Sequence, residues 1–159
     1  MTTAAAISNP QNTPATATDP EHAEARSGVS ARQLAESAAD LTGRVALAAI
    51  FALAGINKLN AYEGTAGYME SMGVAGSLLP AVIGLEIIGA IALILGFRTR
   101  VAALALAGFS VLSALIFHFE LADQMQFIMF FKNIAMAGGF LVLAANGAGA
   151  WSLDARRRV

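Results

Sequence analysis

Residues 74–97, VAGSLLPAVIGLEIIGAIALILGF, form a run of twenty-four in which the only ionisable side chain is Glu86, near the middle. At a rise of about 1.5 Å per residue such a run covers the roughly 30 Å hydrocarbon core of a bilayer. Lipid offers no partner to an exposed backbone amide, so a segment of this kind crosses as a helix. A carboxylate held at that depth is costly unless it is paired, protonated or facing water, which makes Glu86 a candidate functional residue.

Three further stretches read the same way. In the first, residues 45–57 are free of charge but too few to cross, and snorkelling of Arg44 and Lys58 toward opposite faces extends the span to 41–59. Ala48, Ala52 and Gly55 give it a small-residue face suited to close helix packing. The third span is 101–119, with no Asp, Glu, Lys or Arg and with His118 at its far end. The fourth has two registers: 125–145, which takes Lys132 and Asn133 into the membrane, or 134–153, which leaves them at its boundary. The GAG at 147–149 ahead of Trp151 resembles an exit with an interfacial anchor and favours the earlier register. Gly138 and Gly139 then form a packing notch. Between the first two spans, residues 60–73 (NAYEGTAGYMESMG) are polar enough to leave the membrane, with Gly64, Gly67 and Gly73 as turn points and Tyr62 and Tyr68 at the interface.

The composition agrees: 57% of residues are hydrophobic and 13% charged, and the mean hydropathy is +0.62. The expected fold is all-α, a polytopic four-transmembrane-helix bundle spanning residues 41–154, with the lipid bilayer as its first partner. Residues 1–40 are expected to be a disordered tail, 1–28, followed by an amphipathic lead-in from Ser30, where Ser30 and Gln33 have capping-box spacing. The tail lacks the basic and apolar regions of a secretory signal. Residues 155–159 form a basic C-terminus. The absence of cysteine excludes disulfides, thiol redox chemistry and cysteine-ligated zinc or iron–sulfur clusters. No metal-ligand spacing, nucleotide loop or covalently bound cofactor is expected, and a net charge of −1 gives no reason to expect nucleic acid.

Four crossings put both termini and the 96–100 turn on one side, with Arg32, Arg44, Arg98, Arg100 and Arg156–Arg158; the opposite connections carry Glu63, Glu70, Glu120 and Asp123. The positive-inside rule places both termini in the cytoplasm. Glu86 is then about 15 Å from the outer entrance of its span and Lys132 roughly 10 Å from that of the fourth. Lys58 and His118 lie one layer above. The outer half thus gathers Glu86, Lys132, Lys58, His118 and Asn133, with Lys132 as the leading partner of Glu86. The plain alternatives are a structural ion pair for Glu86, snorkelling for Lys58 and an ordinary hydrogen-bonding role for His118. Bis-histidine haem is not expected, because the other histidine, His22, is in the tail.

The segments FALAGINKL (51–59), GTAGYMESMGV (64–74), IGLEIIGAIALILGFRTR (83–100), ALIFHF (114–119) and FFKNIAMAGGFL (130–141) resemble the DoxX family of small four-helix membrane proteins. The resemblance covers roughly 41–154. It implies a four-helix bundle and the earlier register for the fourth span, since the FxKN element lies within that helix. It also implies a link to membrane redox systems: a related subunit belongs to a thiosulfate:quinone oxidoreductase, and some relatives assemble with superoxide dismutase and a sulfurtransferase. Two functions follow as expectations. One is a membrane subunit of a redox complex whose outer-half pocket binds a quinone or small sulfur compound, with redox proteins as partners and Glu86 exchanging a proton. The other is a noncatalytic anchor or assembly protein that recruits soluble partners.

Overall fold

The structure is a computed structural model that describes residues 30–157; the expected disordered tail, residues 1–28, and the last two residues lie outside the described residues. The described chain is helical throughout its regular structure: α1 (Ala31–Asn60), α2 (Tyr62–Ser71), a short 3-10 turn (Gly76–Leu78), α3 (Leu79–Leu95), α4 (Thr99–Phe117), α5 (Gln124–Asn146) and α6 (Leu153–Arg156). Four segments are long and apolar enough to cross a membrane: Ala31–Asn60, Gly76–Leu95, Thr99–Phe117 and Gln124–Asn146. Only 17–33% of their most apolar stretches is buried inside the protein. Their outer faces carry exposed Leu53, Ile88, Ile91, Leu104, Leu112, Leu141 and Val142. So much outward apolar surface is stable against lipid and not against water. The protein is a multi-pass four-helix membrane bundle.

The spans agree with the sequence reading to within a few residues, and α5 takes the earlier of the two registers. Two elements differ. The lead-in and first span are one uninterrupted helix of thirty residues. Nothing in 31–60 breaks it: there is no proline, and Gly43 and Gly55 are isolated. Residues 62–71, expected as a glycine-punctuated connection, form a helix. Gly64 and Gly67 lie inside it with open space where a Cβ would be, and the turn falls to Gly73, φ +78°. Burial of Met69 against Leu79 and Ile83 holds this helix down and overrides its weak local pattern.

Small residues set the helix spacing. Ala48, Phe51, Ala90, Leu93, Ala103, Leu106, Ala107, Ala137 and Phe140 form the main core. Phe51 meets Phe140 and Phe109 edge-on, with ring centroids 5.3 and 6.2 Å apart. At Gly55 a Cβ would stand 2.7 Å from Ile87 Cγ1 and 3.5 Å from Glu86 Cβ, so the bare glycine lets α1 seat against these two side chains of α3. Of the expected glycine notch on α5, Gly139 faces Leu47 while Gly138 has open space beside it.

The turn between α3 and α4 brings the chain back within three residues. Gly96 is left-handed, φ 65°, and the Gly96 and Phe97 amides donate to Leu93 O and Ala92 O, closing the end of α3. This turn, the start of α1 and the end of α5 form the terminal end of the bundle. Arg44, expected to snorkel there, is instead 1% exposed. Its Nη2 donates to Trp151 O at 2.6 Å. A guanidinium has five donors, so a buried one serves where backbone carbonyls need capping.

Candidate functional site

At the opposite end, α1, α3 and α4 enclose a polar centre. Helix periodicity explains how it assembles. On α3, Ile83, Glu86, Ala90 and Leu93 recur at three- and four-residue intervals on the buried face, so Glu86 is carried inward with them. On α1, Phe51, Gly55 and Lys58 follow the same stripe, and the close approach at Gly55 brings Lys58 to Glu86. Lys58 Nζ donates to Glu86 Oε1 at 2.8 Å. The carboxylate side chain is 3% exposed and the lysine 26%. The second carboxylate oxygen, Oε2, is buried with no hydrogen-bond partner among the described residues.

Glu86 and Lys58 line a cavity of about 300 Å³. Its remaining wall is largely apolar: Met69, Val74, Val82, Phe109, Leu112, Ile116 and Phe117, with Tyr68, Thr65, Ser113 and His118 as the other polar-bearing residues. His118 Nδ1 lies 2.8 Å from Gln126 Oε1. Gln126 is itself held by its backbone, whose amide donates to Asp123 Oδ1 at the start of α5. With Nδ1–H donating to the amide oxygen, Nε2 is the remaining polar atom of the ring.

Three of the five sequence candidates, Glu86, Lys58 and His118, therefore share one cavity, and two do not. Lys132 does not pair with Glu86. It is exposed on α5, with Nζ 3.1 Å from Met129 Sδ. The inward face of α5 is fixed by Asn133, Ala137 and Phe140. Lys132 is rotated about 100° from Asn133 and faces outward. Asn133 is buried, but its Nδ2 donates to Met129 O one turn back and it does not line the cavity.

Phe109, Ser113 and Phe117 were not among the sequence candidates although they supply the α4 wall. Their four-residue spacing, running into His118, was the available signal. Tyr68, read as interfacial, also lines the cavity and lies against Phe117, ring centroids 5.6 Å apart. Among the described residues no group of three or more His, Cys, Asp or Glu is placed to hold a metal.

Comparison with known proteins supplies relatives for this arrangement. The DoxX family model matches residues 39–119, which take in α1 from residue 39 onward, α2, α3, α4 and every residue of the cavity wall. Inner membrane protein YqjF of Escherichia coli K12 is 46% identical over 114 residues, 72% of this chain and 88% of the relative. Inner membrane protein YphA of the same organism is 37% identical over 123 residues, 73% of this chain and 88% of the relative. No solved structure matches.

Proposed function

This chain belongs to the DoxX family, and we propose that it is the membrane subunit of a quinone-linked redox assembly, with the Lys58–Glu86 cavity as the headgroup site. The observation that carries the reading is the unpartnered Glu86 Oε2, buried beside an apolar cavity of about 300 Å³. A pocket of that size, mostly apolar with a few convergent polar groups, suits a substituted ring bearing one or two oxygens. Glu86 Oε2 accepts from a ligand hydroxyl when ionised and donates to a ligand carbonyl when protonated, so it serves both redox forms. A small sulfur oxyanion is a poorer fit, because a free carboxylate oxygen repels it.

A bound quinone supplies two-electron, two-proton chemistry. The chain's own residues orient it and handle protons. Lys58 holds Oε1 and fixes the carboxylate rotamer, leaving Oε2 to exchange a proton with the ligand oxygen. The Gln126 contact fixes the His118 ring at the mouth of α4. Phe109, Phe117 and Leu112 exclude water from the ring. Electrons pass to and from a partner redox protein, since the sequence has no cysteine to carry them. The relatives are inner membrane proteins and support that location for this chain; the positive-inside rule favours the arginine-rich terminal end in the cytoplasm, an orientation that puts the cavity in the outer half.

The test is photolabelling of the protein in lipid vesicles with a short-tailed azidoquinone. Label is expected on peptides containing Tyr68 and residues 109–118, and excess quinol should protect them. Label confined to the outward face of α5, or unaffected by quinol, would contradict the assignment.

A further inference from the structure

The terminal end carries a second cavity, independent of the first. Its volume is about 690 Å³, and Arg98, Arg100 and Arg157 all line it. Two segments far apart in sequence supply these cations. Arg98 and Arg100 flank the start of α4, and Arg157 follows α6. The C-terminal segment is fastened in place by Asp154, whose Oδ1 and Oδ2 accept the Arg98 and Thr99 amides at 2.8 Å, and whose own amide donates to Gly96 O at 2.8 Å. Arg157 stacks with Cζ 4.6 Å from the centroid of the Phe97 ring, which places its guanidinium at the rim.

The charge balance is one-sided. Among the described residues Asp154 is the only acid lining the cavity, and both of its oxygens are occupied by backbone amides; Asp40 lies behind it, against the lining residue Gly149. Behind the lining Arg44 is 1% exposed; Asp40 and Asp154 face its charge, and among the described residues its Nε and Nη1 have no hydrogen-bond partner. Arg44 Nη1 lies against Gly96 and Ser152, and Ser152 lines the cavity. Three rim guanidiniums above a buried fourth make an anion site, and guanidinium forks match phosphate oxygens. The depth identifies the source of the phosphate. Val101, in the first turn of α4, and Trp151 are exposed beside the cavity, at the level where apolar span gives way to interface. A basic pocket at that level, between membrane helices, suits a phospholipid headgroup.

We propose that Arg98, Arg100 and Arg157 form a binding site for the phosphodiester headgroup of an anionic phospholipid, which clamps the C-terminal segment to the α3–α4 turn.

The experiment uses the full chain, purified in detergent, with native mass spectrometry of retained lipid and melting temperature as readouts. Phosphatidylglycerol, cardiolipin, phosphatidylcholine and inorganic phosphate are added separately. The two anionic lipids are expected to be retained and to raise the melting temperature, and phosphatidylcholine to do neither. R100Q/R157Q should lower retention about tenfold. Arg32→Gln, an exposed arginine paired with Glu36 away from the cavity, should leave it unchanged. Because Arg100 makes only a long hydrogen bond, 3.5 Å to Ala145 O, and Arg157 an exposed stack on Phe97, while Asp154 keeps its two backbone amides, the double variant should still melt cooperatively without lipid. Equal retention by R100Q/R157Q and by Arg32→Gln would overturn the site. Protection by inorganic phosphate equal to that by the anionic lipids would overturn the lipid as its occupant.

Discussion

The bundle buries charge at both ends and uses it differently. At the terminal end Arg44 Nη2 binds the Trp151 carbonyl and Asp154 the Arg98 and Thr99 amides, while Arg44 Nε and Nη1 have no hydrogen-bond partner among the described residues. At the other end Lys58 and Glu86 bind each other, and one carboxylate oxygen is left over beside an apolar cavity. Charge spent on backbone fixes the path of the chain, and removing it costs stability. Charge that leaves an atom unsatisfied next to a cavity marks a place where something else completes the set. An ionisable residue in a membrane helix is therefore not diagnostic by itself; what its polar atoms touch decides its role.

Breaking the terminal end has the largest expected effect. Arg44→Met removes a charged donor from Trp151 O and leaves Asp40 and Asp154 without their buried cation, for a loss of about 3–4 kcal/mol. Thermal unfolding in detergent should show it, with azidoquinone labelling of the surviving folded fraction unchanged. If labelling falls with stability, the two ends are not separable in the way described.

Next in size is the ion pair. Lys58→Met strands Glu86 and should cost about 2–3 kcal/mol, whereas Glu86→Gln should cost under about 1 kcal/mol, because Lys58 is partly exposed and can turn toward water. The double variant should recover most of the Lys58→Met loss, a coupling that a double-mutant cycle reads directly. Additive losses would mean that the pair contributes nothing as a pair.

Gly55 links packing to the site. Gly55→Ala sets a methyl against Ile87 and should cost about 1–2 kcal/mol by forcing α1 from α3. It should also loosen the Lys58–Glu86 contact, so the coupling energy from the Lys58/Glu86 double-mutant cycle should fall in the Gly55→Ala background. An unchanged coupling energy would show that the helices accommodate the methyl without separating.

The smallest effect is pH-dependent. Burial alone would raise the Asp154 carboxyl, but the hydrogen bonds from Thr99 and Arg98 and the nearby Arg157 outweigh it and hold its pKa below the ordinary carboxylate range. A depressed folded-state pKa gives stability that is present above the unfolded value, about 3.9, and lost as pH falls through the lower folded value. Asp154→Asn should thus cost about 1 kcal/mol at neutral pH, the worth of a helix cap, and the difference from wild type should vanish in strong acid. A difference that persists there would assign the loss to something other than the carboxylate charge.

Much of this was legible in the sequence. Span lengths and the register of α5 follow from apolar runs and turn residues, which act locally, and the inward placement of Glu86 from the cost of a carboxylate facing lipid. The helix at Tyr62–Ser71 was not legible, because its glycines argue against it and the burial of Met69 that holds it is a tertiary fact. Lys132 was misassigned for a related reason. Depth along a helix is readable from residue count, but rotation about its axis depends on which face packs, and on α5 that face belongs to Asn133, Ala137 and Phe140. Arg44 illustrates the same limit: its position near a helix end suggested snorkelling, and only the returning C-terminal segment gives it a buried carbonyl to bind.

The most direct measurement is equilibrium binding of a short-tailed quinol to the purified protein, comparing wild type, Glu86→Gln and Lys132→Met. A cavity completed at Glu86 Oε2 predicts binding weakened about tenfold or more by Glu86→Gln, the loss of a charge-assisted hydrogen bond, and unaltered by Lys132→Met. Equal affinity for wild type and Glu86→Gln would contradict it and leave the pair as a structural bolt.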